Sequence, residues 1–165
     1  MRHLMLVSLC LAGVACNGLA TAPTTPSSAI PSAPLQARAD SQPVEVTFTK
    51  WFPVPGSPQM VGTTDEGGDP GTYAGVLLRR TPLNDQIAEL EARYQVINAS
   101  GHSFTALIEG KSHIQTGHAT LNGVVTEGWS VGAQVHVTFD LIPCTQAPNG
   151  VCFQGTIRVM AGSAD

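Results

Sequence analysis

Apolar and polar residues alternate through most of the chain beyond residue 43. In "QVHVTFDL", Val135, Val137, Phe139 and Leu141 alternate with Gln134, His136, Thr138 and Asp140. A period of two puts each set on its own face of a β-strand. Phe153, Gly155, Ile157 and Val159 alternate in the same way with Gln154, Thr156 and Arg158. The segment "QIAELEARYQVIN" is rich in good helix formers. Yet Ala88, Leu90, Ala92, Tyr94 and Val96 alternate with Glu89, Glu91, Arg93 and Gln95. A helix would scatter those apolar residues around its axis, whereas a strand gathers them on one face, so the pattern predicts a strand. "HSFTALIE" follows after the turn "NASG" and puts Phe104, Ala106 and Ile108 on one face. Asn98-Ala99-Ser100 matches a glycosylation sequon and is read here as part of that turn.

Further strands are predicted over Val44 to Trp51, Thr72 to Arg80 and Ala119 to Thr126, with an eighth in "KSHIQT". The segment from Pro53 to Pro70 reads as one long loop, and no segment reads as a helix. Consecutive short strands joined by glycine-rich turns indicate an all-β antiparallel barrel or sandwich. One face of each strand is polar, as expected where that side meets water.

The first 42 residues follow a different pattern. Leu4 to Val14 is an apolar run after the polar start Arg2-His3, too short to span a bilayer and suited to an export signal. It leads to Ala15-Cys16, a small residue followed by cysteine, which predicts a signal peptide over 1–15 and lipidation of Cys16. Plain secretion is the alternative, since Gly13 stands where such signals usually carry Leu or Val. Residues 16–42 are rich in Ala, Pro, Ser and Thr, as in "TAPTTPSSAIPSAP". Such a stretch buries too little apolar surface to offset its ordering entropy and reads as a tether. The folded domain is expected over 43–165. Of the four cysteines, Cys10 leaves with the signal and Cys16 takes the lipid, leaving Cys144 and Cys152 to pair. Export places them where disulfides persist. Two free buried thiols are the alternative.

Charge narrows the partners. The domain carries six Lys/Arg against eleven Asp/Glu, net −5. No basic cluster exceeds Arg79-Arg80, so the counterion-displacing stripe that nucleic-acid binding needs is missing. The expected membrane link is the lipid at Cys16, not an electrostatic one. No cofactor is expected. His113 and His118 lack a third ligand at regular spacing and read as solvent-facing turn residues, and His102 reads as exposed. Asp65, Glu66 and Asp69 in "TTDEGGDPG" do not fit a calcium loop and read as a solvated acidic segment.

Gly128-Trp129-Ser130-Val131-Gly132 matches G-x-S-x-G, the nucleophile elbow of serine hydrolases. The elbow needs a strand before it and a helix after it, and here a strand follows. His136 and Asp140 stand four residues apart on one strand, about 13 Å, too far for an orienting hydrogen bond. The motif therefore reads as a hairpin connection, with Trp129 packing over the end of the fold, and no catalytic residue is assigned.

The segments "GTYAGVLLRRTP", "SFTALIEG", "TGHATLNGVVTEGWSVGA" and "CFQGTI" resemble the allene oxide cyclase-like barrels, related to the dirigent barrels. The resemblance spans roughly residues 68–159 and points to a secreted bacterial member. It implies an eight-stranded antiparallel barrel with an apolar lumen, in which some relatives guide the cyclisation of reactive intermediates by shape. No family catalytic residue maps onto this chain. Inward positions include Tyr73, Leu90, Tyr94, Phe104, Val137 and Phe139, with small residues such as Gly75, Ala88, Ala92, Ala106 and Gly155 among them. An eight-stranded barrel is just wide enough to be filled or to hold one small ligand. Three functions follow as expectations: a non-enzymatic binder of a small apolar ligand or of a protein partner, a cyclase or isomerase working by shape, and an interaction protein with a filled core.

Overall fold

Eight antiparallel strands make up the computed structural model, which describes residues 42–160. They are β1 (Val44–Trp51), β2 (Gln59–Glu66), β3 (Asp69–Pro82), β4 (Ile87–Asn98), β5 (Phe104–His113), β6 (Ala119–Gly128), β7 (Gln134–Pro143) and β8 (Val151–Met160). Each strand pairs with its sequence neighbours, and β8 pairs back onto β1, so the sheet closes as an up-and-down barrel. Closure removes the sheet edges and sends alternate residues into the lumen. The expected signal peptide, the lipidation at Cys16 and nearly all of the tether lie outside the described residues.

The alternation read from the sequence is the alternation of burial. In β4, Ala88, Ala92, Tyr94 and Val96 are buried, while Arg93 and Gln95 face solvent. The helix-forming composition of this segment is overridden because only the extended form keeps its apolar set on one side. In β7, Val135, Val137 and Phe139 are buried in the core that also holds Val46, Phe48 and Ile157.

Two sequence expectations are corrected. The segment 53–70 is not one loop but carries β2, whose hairpin partner β3 begins after a turn at Gly67 and Gly68. Both glycines have positive φ (63° and 96°), as a tight hairpin turn requires. The acidic segment around it is ordered by pairing, with Glu66 opposite Asp69 and the Gly68 N–H donating to Asp65 Oδ1 at 2.9 Å. Strand β2 shows no period of two in the sequence because Gly62 and the threonines interrupt its apolar side. Gly62 is needed there, since a Cβ would stand 2.1 Å from the Thr49 carbonyl oxygen. The second correction concerns "KSHIQT": residues 111–113 end β5 and 114–116 turn the chain toward β6.

One irregularity matters for the lumen. The register of β3 against β4 shifts between Leu77 and Arg79, leaving Leu78 as an extra residue. Such a bulge reverses the in–out parity beyond it. Leu77 stands opposite Ala92 on the inner side, and beyond the bulge Arg80, not Arg79, stands opposite Leu90. Arg79 is left outside, 3.1 Å from Glu91.

Cys144 and Cys152 form a disulfide, their Cα atoms 5.6 Å apart, across the connection between β7 and β8.

Candidate functional site

The two ends of the barrel are built differently. At the end formed by the β2–β3, β4–β5 and β6–β7 turns, a polar network closes the lumen. Glu66 accepts hydrogen bonds from Asn98 Nδ2 at 2.9 Å and Ser100 Oγ at 2.8 Å, and its other oxygen lies 2.5 Å from His102 Nδ1. Thr64 Oγ1 donates to Asn98 Oδ1 at 2.7 Å. Trp129 lies against His102, ring centroids 4.4 Å apart, and packs on the core. Burial alone would raise the Glu66 carboxyl, but the hydrogen bonds from His102, Ser100 and Asn98 and the charge of His102 hold it below its ordinary value. His102, expected to be exposed, is thus half-buried because it both pairs with Glu66 and supports Trp129. Asn98 of the sequon is buried inside this network.

The G-x-S-x-G motif belongs to the same end. Gly128, Ser130 and Gly132 all have positive φ, and Ser130 sits in the turn that leads from β6 into β7. His136 Nδ1 lies 2.8 Å from Asn122 Oδ1, and Asp140 pairs with His118 Nδ1 at 2.8 Å. His136 and Asp140 are therefore engaged with separate partners and not with each other.

The middle of the lumen is aromatic. Tyr73 and Tyr94 meet edge to face at 5.0 Å, and Phe48 stacks on Tyr73 at 5.7 Å. The side chain of Lys50 enters this cluster from β1. It is 2% exposed, its amine donates a hydrogen bond to the Tyr94 hydroxyl, and its Nζ lies 3.9 Å from the Phe139 ring centroid and 4.2 Å from that of Tyr94. Among the described residues no carboxylate pairs with it. Two effects oppose each other here. Aromatic faces favour an ammonium by about 2 kcal/mol when desolvated. Burial of an uncompensated ion costs several kcal/mol. Burial wins, and it pushes the Lys50 amine well below its ordinary value. The same burial raises both tyrosine hydroxyls, which stay protonated. Tyr73 Oη is buried with no hydrogen-bond partner.

Beyond Lys50 the lumen opens into a cavity of about 180 Å³ at the disulfide-bearing end. Leu77, Leu90, Ala92, Leu121, Phe139 and Phe153 supply much of its apolar wall. Its polar side chains are Lys50, Tyr94, Arg80, Ser112 and His113, with no acid among them. Arg80 reaches this wall because of the bulge in β3. His113 was expected to face solvent. Instead it lines the cavity at the end of β5, and its Nδ1 is buried without a partner. Of the six lumen residues expected from the sequence, Leu90, Tyr94 and Phe139 line the cavity. Tyr73, Phe104 and Val137 are buried in the filled part of the core. Lys50 was not singled out from the sequence, although its parity with Val44, Val46 and Phe48 points it inward. Among the described residues no group of three or more His, Cys, Asp or Glu is placed to hold a metal.

No protein-family model, curated protein or solved structure matches this chain. The likeness to allene oxide cyclase-like barrels rests on the quoted sequence segments alone.

Proposed function

We propose that the protein is an exported, lipid-anchored binding protein that holds one small, largely apolar molecule in the open end of its barrel. The cavity carries this reading. Its walls are mainly aliphatic and aromatic, and a few polar groups converge on it, the usual make-up of a small-molecule site. An apolar cavity of about 150 Å³ is enough to hold benzene, so this one suits a molecule of about one ring. Export and anchoring are supported by the apolar run before Ala15-Cys16, and Cys144–Cys152 is a bond suited to an oxidising compartment.

Native mass spectrometry of the protein, purified gently from the cells that make it, tests the reading. The expected result is excess mass in the native spectrum that disappears on denaturation. Ala92→Phe, which fills the cavity, should lack that excess. An excess retained by the filled variant would place the ligand outside the lumen. Native protein with no excess mass and no affinity for toluene would remove the lumen from consideration.

A further inference from the structure

Lys50 is an unusual residue to find inside a barrel that the chain could have filled with leucine. It is 98% buried, it lines the cavity, and its only hydrogen-bond partner among the described residues is the Tyr94 hydroxyl. We propose that Lys50 binds carbonyl compounds covalently, its amine condensing with a small aldehyde in the cavity to form a reversible imine. This rests on the reading of the lumen as a small-molecule site and names the ligand class.

Three observations carry it. The amine has no carboxylate to hold it as an ammonium, and a neutral amine is the nucleophile that carbonyl addition requires. Most of the cavity wall is aliphatic and aromatic, which suits the apolar body of a small aldehyde. Tyr94, hydrogen-bonded to Nζ and still protonated, lies beside the atom where protons must move.

The chemistry balances without a further reactant. The Nζ lone pair forms the new C–N bond as the carbonyl π bond opens. One amine proton passes to the oxygen, giving a carbinolamine. The C–O bond then breaks, the second amine proton leaves with that oxygen as water, and the C=N bond forms. Hydrolysis reverses the sequence.

The chain contains two lysines, which makes the test simple. The full chain is incubated with benzaldehyde at neutral pH, reduced with cyanoborohydride, digested and mapped by mass spectrometry. One benzyl group on Lys50 is expected, formed on the order of tenfold faster than on the exposed Lys111. Lys50→Met should abolish that adduct while still binding toluene, which also shows that the variant folds. Should the variant fail to fold, the wild-type map decides alone. Labelling of Lys111 at an equal or greater rate, or an unlabelled Lys50, overturns the proposal. Toluene binding then separates the two readings: if toluene binds, only the imine is lost, and if it does not, the lumen site is lost as well. Benzoate bound more tightly than benzaldehyde would likewise overturn it in favour of an anionic ligand.

Discussion

At the scale of single residues, the buried Lys50 and the half-buried Glu66 pull stability in different directions. Burial holds the Lys50 amine well below its ordinary value in the barrel, so the folded chain gives up this proton more readily than the unfolded one. The unfolded state therefore binds more protons below the ordinary lysine value of about 10.4, and stability rises as pH climbs toward it. Lys50→Met removes this penalty. It also leaves the Tyr94 hydroxyl without its partner, which offsets part of the gain. A net stabilisation of about 1 to 2 kcal/mol at pH 7 is expected. Urea unfolding between about pH 7 and 9.5 should show the wild type gaining stability along a slope that the variant lacks. Glu66 behaves oppositely. Its carboxyl is held low in the folded state, so it contributes stability above the unfolded value of about 4.3 that is lost as pH falls through the folded one. Glu66→Gln should cost about 1 to 2 kcal/mol at pH 7. Its thermal midpoint should then fall less steeply than the wild type's on acidification below about pH 5.

At the scale of elements, pairing decides what composition leaves open. Strand β4 is extended despite its glutamates and alanines because β3 and β5 flank it along its length. Strand β2 forms although its apolar side is broken by Gly62, because β1 and β3 both pair with it. The Leu78 bulge shows how one extra residue re-aims a side chain, turning Arg80 rather than Arg79 to the cavity. The β7–β8 connection is held by the disulfide. A loop this short is worth about 2 to 3 kcal/mol in the chain-entropy model. The Cys144→Ala, Cys152→Ala double variant should lose about that much in urea unfolding and keep the same far-ultraviolet spectrum. A double variant as stable as the wild type would show that strand pairing alone holds the connection.

At the scale of the molecule, the barrel has one closed end and one open one. The closed end is a hydrogen-bonded polar cap roofed by Trp129. The open end carries the cavity, the bulge-directed Arg80, His113 and the disulfide. Between them the aromatic cluster holds Lys50 away from water. This polarity makes the lumen a pocket with a floor, not a channel. A ligand of the proposed kind would enter from the open end, with Lys50 at the inner limit of its path.

The period of two determined much of this protein by itself. It specified strands over β1 and β3 to β8, the all-β class and the inward residues Tyr94, Phe139 and Leu90, because alternation is a local property of the chain. Elimination among the four cysteines left Cys144 and Cys152 to pair, and these two form the disulfide. Strand β2 was not legible: its pairing partners, not its own side chains, make it a strand. Nor was the place of Lys50. Its parity points inward, but a lysine near a strand end usually reaches water. Only closure of the sheet surrounds it with Tyr73, Tyr94 and Phe139 from three other strands, beside Phe48 of its own strand. His102 and His113 took their environments from residues distant in the chain, Glu66 and Trp129 for one and the cavity wall for the other. The tertiary structure alone decided which end is sealed, which end is hollow and which amine lies between them, since each depends on contacts across the barrel that no local pattern encodes.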